Sequence, residues 1–220
     1  MYNVNEIFET IQGEGTFTGV PSVFVRLQGC PVGCPWCDTR QTWDTLASDQ
    51  RDFGTVIAKT GDSPLWAEAT SENIVDYLNE SYSAKHVVIT GGEPCMFDLV
   101  PLTTQLEANG YRCQIETSGT YDVRTSANTW VTVSPKINMR GKLPVLKSTL
   151  ARANEIKHPV GTETDIEKLT ELLADIDLSG KEVALQPISQ KPRATALCIE
   201  TCIKNNWRLS IQTHKYLDIA

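Results

Sequence analysis

The sequence predicts an α/β protein built as an open, partial βα barrel of about six βα units. Short apolar, β-branched runs alternate with segments of helical spacing, the order that gives a parallel sheet with helical crossovers. The chain has 220 residues, fewer than the roughly 250 a closed eightfold barrel usually takes. Each glycine-rich or polar motif directly follows a strand, and folds of this kind gather ligands at the carboxyl ends of their strands.

An alternating segment runs from Val4 to Ile11. Residues 22–28 (SVFVRLQ) form the next strand, with Val23, Val25 and Leu27 on one face. Further strands are predicted at 86–90 (HVVIT), 112–117 (RCQIET), 129–134 (TWVTVS), 155–158, 182–186 (EVALQ) and 208–212 (RLSIQ). Helices are predicted at 71–81 from a Ser71 cap, and at 99–109 ending at Gly110. Two more follow at 164–176 and 195–205. Residues 44–69 interrupt the alternation with Asp, Ser, Thr, Gly and Pro punctuation around 53–59. They read as a long inserted connection with room for one short helix. With no repeat, low-complexity tract or linker, residues 1–220 read as one domain.

At 40% hydrophobic residues the chain can build a full core, and its net charge of −7 argues against a general nucleic-acid or membrane surface. The start MYNVNEIFET has two acids and no apolar h-region, so no signal peptide is expected. No apolar run reaches the roughly 18 residues of a transmembrane helix, and a cytoplasmic protein is the expectation. Seven cysteines, an odd number in a chain this long, read as reduced thiols plus metal ligands. Cys198 and Cys202 lie four apart on one helical face, with Leu197, Ile199 and Ile203 around them. They are expected in the core, as are Cys95 and Cys113.

The remaining three, Cys30, Cys34 and Cys37, stand in GCPVGCPWCD with spacing C-x3-C-x2-C. A structural zinc site wants four closed ligands, and an ordinary iron–sulfur cluster also takes four cysteines. Three on one loop leave a metal corner open for chemistry. A distant fourth ligand would instead complete a zinc site, and the spacing alone leaves that alternative standing. The spacing is similar to that of the radical S-adenosylmethionine (SAM) superfamily, which implies the radical SAM type of partial barrel. There the open iron binds the amino and carboxylate groups of SAM, and an electron cleaves SAM to a 5′-deoxyadenosyl radical. Gly91-Gly92-Glu93-Pro94, after Thr90 at a strand end, matches the superfamily loop that contacts the methionine amino group. Its two glycines let the backbone approach a ligand closely.

The segments FETIQGEGTFTGVPSVFVRLQGCPVGCPWCDT, VVITGGEP, IETSGT, VTVSPK and QTHKYL together resemble the 7-carboxy-7-deazaguanine synthase family, over nearly the whole chain. The resemblance implies a lyase acting on 6-carboxy-5,6,7,8-tetrahydropterin. It forms 7-carboxy-7-deazaguanine and ammonia on the way to queuosine, and SAM is regenerated. It implies SAM contacts from Trp36, Asp38, Gly92, Glu93, Ser118, Ser134, Pro135 and Lys136. Substrate contacts are implied from Ile11, Gln12, Gly13, Glu14, Arg26, Thr90, His214 and Ala220, and a Mg2+ contact from Thr39. The chemistry of these side chains suits a pterin acid. Glu14 pairs with an aminopyrimidine edge, and Arg26 with a carboxylate. The resemblance also implies a homodimer and an electron donor such as a flavodoxin. Two rivals share part of the pattern, a glycyl-radical-activating enzyme and a non-enzymatic iron–sulfur or zinc module. QGEG, Arg26 and the THK segment count against the first, and the second requires a fourth protein ligand.

Overall fold

A computed structural model describes residues 1–219. Nine strands form one sheet: β1 (Tyr2–Ile11), β2 (Pro21–Leu27), β3 (Ala67–Ala69), β4 (His86–Gly91), β5 (Arg112–Thr117), β6 (Trp130–Val133), β7 (Glu155–Val160), β8 (Glu182–Pro187) and β9 (Arg208–Leu209). Their order is β3-β1-β2-β4-β5-β6-β7-β8-β9. β1 is antiparallel to β2 and to β3, and every pairing from β2 to β9 is parallel. The sheet ends at the short strands β3 and β9 and does not close, so the open barrel expected from the sequence is the one observed. The helices are α1 (Phe53–Ile57), α2 (Ser71–Ser81), α3 (Val100–Ala108), α4 (Lys147–Arg152), α5 (Glu163–Leu173), α6 (Pro192–Asn205) and α7 (Thr213–Leu217).

Strand alternation divides the sheet into two chemically different faces. Val23, Val25 and Leu27 of β2, Val87 and Ile89 of β4, and Ile115 of β5 are fully buried in one apolar core with Ile74 and Leu78 of α2 and Leu102 and Leu106 of α3. Each such side chain contributes roughly 1.5–3 kcal/mol by leaving water. The opposite face carries Arg26, Thr90, Gln114, Glu116, Thr132, Glu155 and Lys157 in the paired registers. A closed barrel packs its interior with branched apolar residues. Here the interior is polar, and it opens as a cleft.

Several local expectations are corrected. Helix α2 is capped by Thr70 rather than Ser71. Thr70 Oγ1 accepts from Asn73 N–H at 3.1 Å, and Asn73 Oδ1 accepts from Thr70 N–H at 3.1 Å, a reciprocal capping box that serves two otherwise orphaned donors. The strand expected at 208–212 stops at Leu209, and that expected at 155–158 runs on to Val160. Helices α4 and α7 fall where none was expected. The 44–69 connection does contain a short helix, α1, but it is stitched into the fold. Lys59 Nζ donates to Asn5 Oδ1 at 3.0 Å, Trp66 is buried, and the segment ends as edge strand β3 against β1. Cys95, Cys113, Cys198 and Cys202 are buried as expected. Ile199 and Ile203, however, point outward, Ile203 being 79% exposed, because they lie one position, about 100°, around α6 from the cysteines.

Candidate active site

The loop after β2 carries the three cysteines, and the loop after β4 is zipped to it. Gly92 N–H donates to Leu27 O and Glu93 N–H to Gly29 O, each at 2.8 Å. A Cβ on Gly92 would stand 2.1 Å from Gly29 O, and one on Gly91, at φ 111°, would stand 2.3 Å from Leu27 N. Only glycines permit this approach. Cys30, Cys34 and Cys37 all line a cleft of about 610 Å³. Trp43 Nε1 donates to Cys37 Sγ at 3.3 Å, and Thr39 Oγ1 lies 3.6 Å from the same sulfur. Burial, with Glu93 and the other two thiols adding, pushes Cys30 up to about 11. Burial also raises Cys34, against the pull of Lys136. Thiols in such a place need added positive charge to become thiolate ligands, which irons supply. Among the described residues no three His, Cys, Asp or Glu side chains converge on the position of a single ion.

Glu93 is only 1% exposed, and its carboxylate is filled. Oε1 accepts from Cys95 N–H at 2.9 Å and Thr117 Oγ1 at 2.6 Å; Oε2 accepts from Ser118 N–H at 2.8 Å and from the Ser118 hydroxyl. Four donors match the roughly four acceptor positions of a carboxylate. Glu93 thus ties the β4 loop to the Ser118 loop. Ser134 and Lys136 line the cleft, with Lys136 Nζ donating to Ser134 Oγ at 2.6 Å. Pro135 does not line it. Together with Trp36 it borders an adjoining cavity of about 220 Å³ that also includes His158 and Pro159. Burial, with the nearby Lys136 ammonium, pushes His158 down to about 4, so the ring is neutral. Its Nδ1 has no partner among the described residues.

The same cleft is lined by Ile11, Gln12, Gly13, Glu14, Arg26, Thr90 and His214. Ala220 lies outside the described residues. Glu14 Oε2 lies 2.6 Å from Lys157 Nζ, and Glu14 Oε1 accepts from Gln212 Nε2 at 2.7 Å. Glu116 Oε2 lies 3.0 Å from the same ammonium. Glu155, with no exposure, accepts from Thr16 N–H and Thr132 Oγ1, both at 2.9 Å. Burial alone would raise Glu14, but Lys157 and Gln212 outweigh it and hold it at about 2. Glu116 goes the other way. Burial and its carboxylate neighbours Glu14 and Glu155 push it up to about 7 against the pull of Lys157, since one ammonium cannot neutralise three acids. Lys157 is itself held protonated by those carboxylates, despite its burial.

Arg26 contacts Glu6 through Nε at 2.5 Å and lies over the Phe8 ring, 5.6 Å from its centroid. Its two terminal nitrogens take no partner among the described residues. Helix α7 closes on the Gln12–Gly15 turn. Thr213 N–H and Oγ1 donate to Gly13 O at 2.9 and 3.0 Å, and a Cβ on Gly13 would stand 2.3 Å from His214 Nδ1. Sequence reasoning missed Glu116, Glu155, Lys157 and Gln212. The signal was present for three of them, as charges at alternate positions in strands of the central sheet (Glu116; Glu155 and Lys157).

The description "4Fe-4S single cluster domain" fits residues 11–133, which contain all three loop cysteines. Over 221 aligned positions, 100% of this chain and 99% of the relative, the sequence is 61% identical to the 7-carboxy-7-deazaguanine synthase of Escherichia coli (strain K12). The chain belongs to the 7-carboxy-7-deazaguanine synthase family. The synthase of Buchnera aphidicola subsp. Schizaphis graminum is 48% identical over 99% of both chains. The crystal structure of QueE from Escherichia coli superposes with a TM-score of 0.93 at 60% identity, covering 96% of this chain and 93% of that one. As a member of this family the chain is a radical SAM enzyme with a 4Fe–4S cluster, and its unclosed nine-stranded sheet is the radical SAM fold.

Proposed function

We propose that the protein converts 6-carboxy-5,6,7,8-tetrahydropterin to 7-carboxy-7-deazaguanine and ammonia, as a single catalytic domain. The observation that carries this reading is one continuous cleft. Its lining joins the three thiols with Arg26 and the Glu14–Lys157–Glu116 cluster. When bound, the 4Fe–4S cluster on Cys30, Cys34 and Cys37 together with SAM supplies a radical that removes the substrate hydrogen at C6.

The chain's own residues do the rest. Trp36, Asp38, Ser118, Ser134, Pro135 and Lys136 hold SAM, with Pro135 and Trp36 bordering the smaller cavity. Because the Glu93 oxygens are already engaged, the methionine amino group is met by the backbone of Gly92 and Glu93. Glu14, fixed as a carboxylate by Lys157, accepts from the pterin's donor edge, beside Ile11, Gln12, Gly13, Thr90 and His214. Net loss of ammonia requires that a carbon-bound proton leave and that the departing nitrogen be protonated. Glu116 takes the first and Lys157 supplies the second, from positions 3.0 Å apart, and proton transfer between them resets the pair.

Arg26 meets the substrate carboxylate with its terminal nitrogens, since Glu6 occupies only Nε. Losing one partner of a buried charge pair costs about 2–5 kcal/mol. Arg26→Ala should therefore weaken pterin binding strongly, and deleting residues 216–220 should weaken it less, both with SAM affinity intact by equilibrium titration. Unchanged pterin affinity in both variants would move the substrate elsewhere on the strand ends.

Thr39 supplies one oxygen to a Mg2+ that also holds substrate. One protein oxygen suffices for an ion that keeps waters and substrate oxygens in its shell. Mg2+ should stimulate chelator-treated enzyme, and Thr39→Ala should raise the Mg2+ concentration needed without lowering iron content. Equal turnover with and without the ion would remove Mg2+ from the account. No described helix is long and apolar enough to cross a membrane. The family resemblance adds a homodimer and a flavodoxin-like electron donor; the exposed Ile199 and Ile203 of α6 offer apolar area for the former.

A further inference from the structure

Residues 135–142 (PKINMRGK) carry Lys136, Arg140 and Lys142 and no acid, in a chain whose net charge is −7. This basic loop sits directly on the cysteine loop. Gly141 N–H donates to Val32 O at 3.0 Å. A Cβ on Gly141 would stand 2.0 Å from Pro31 O, and one on Gly33 would meet Arg140 Cβ at 3.1 Å. Asn138 and Lys142 are held at φ 55° and 54°, a left-handed conformation that costs energy in non-glycine residues and persists where the surroundings impose it. Arg140 and Lys142 are nevertheless exposed. Beside them Trp36 is 41% exposed and borders the same cavity as Arg140. Exposed Arg40 donates to Pro35 O at 2.5 Å and lies over the Trp43 ring, 5.9 Å from its centroid. Trp43 in turn reaches Cys37 Sγ. Asp38, also exposed on this loop, offsets one of the cations.

Exposed cations on and against the loop that holds the redox group, two of them arginines, have the composition of a protein interface, where Arg is enriched. Their charge selects an acidic partner. We propose that Arg40, Arg140 and Lys142 form the docking face for an acidic protein carrying a one-electron centre. The carrier loses one electron and the iron–sulfur group gains it, with no bond made or broken and no proton moved. The proposal rests on the reading of Cys30, Cys34 and Cys37 as cluster ligands.

The test uses the full-length, cluster-loaded enzyme and an oxidised flavodoxin as probe. The Arg140→Glu/Lys142→Glu double variant should bind flavodoxin about tenfold more weakly at low salt, with a shallower salt dependence. Stopped-flow reduction of its cluster by reduced flavodoxin should slow in parallel, while SAM affinity and reduction by dithionite stay at the wild-type level. Lys204→Glu, an exposed cation on α6, should change neither. If iron loading or circular dichroism shows the double variant to be damaged, Arg140→Ala takes its place with a smaller loss expected. Wild-type flavodoxin binding in a folded Arg140 variant, or an equal loss with Lys204→Glu, would overturn the proposal. A wild-type chain that holds no cluster, or does not cleave SAM with dithionite, would instead overturn the underlying reading.

Discussion

Alanine at Cys30, Cys34 or Cys37 should abolish iron–sulfur loading and SAM cleavage, each change alone being sufficient. The three thiols line one cleft and are each other's neighbours electrostatically. Among the described residues Cys95, Cys113, Cys198 and Cys202 are buried with the apolar core and do not line the cleft, so none of these thiols is placed to compensate. Burial pushes Cys95, Cys113 and Cys198 up to about 12, so they remain protonated and inert. Cys198→Ala should keep full iron and lose only the packing of one small side chain. Iron and sulfide analysis with the visible absorption band decides between these outcomes. Lost iron in Cys198→Ala would refute the three-ligand assignment.

Lys157→Met should be the most damaging change outside the cysteine loop. It leaves Glu14 and Glu116 in a buried site without their cation, and breaking a buried pair in this way costs about 3–5 kcal/mol. In a chain of this size that corresponds to a fall of about 10 °C in Tm. The pH dependence carries the signature. In the wild type Glu14 is held at about 2, below its unfolded value, so its contribution is present above the ordinary carboxylate range and is lost as pH falls toward 2. Glu116, raised to about 7, has the opposite sign. It favours the fold below the ordinary range, and that contribution is lost as pH rises through 7. Without Lys157 both carboxylates follow the Glu116 pattern. The Tm deficit of Lys157→Met should then be larger at pH 8 than at pH 5, and adding Glu116→Gln should recover part of it. A pH-independent deficit would mean that packing, and not charge, is what Lys157 provides.

The strands and the cysteine loop were legible because their signals are local. Val23, Val25 and Leu27 alternate, three cysteines share ten residues, and Gly91-Gly92 follows a β-branched run. The true cap of α2 was missed by one residue because Thr70 and Ser71 are both good caps, and only the Thr70–Asn73 geometry selects between them. Helix α7 was hidden because its five residues are too few to show a period. It is fixed by Thr213 reaching Gly13, 200 positions away in sequence. The Glu14–Lys157–Glu116 cluster is likewise long-range. Each member reads as an ordinary charged residue until β1, β5 and β7 bring them to one point. Arg26 was legible as a carboxylate partner, but its pairing with Glu6 depends on the antiparallel register of β1 and β2. The 44–69 segment was readable as an insertion, yet its return as an edge strand depends on pairing with β1.

The most direct measurement is the product mass after anaerobic incubation of the cluster-loaded enzyme with SAM, a reductant and 6-carboxy-5,6,7,8-tetrahydropterin. The account predicts a product lighter than the substrate by one ammonia, with ammonia released in equal amount and no net consumption of SAM. Steady cleavage of SAM to 5′-deoxyadenosine with the pterin recovered unchanged would contradict it.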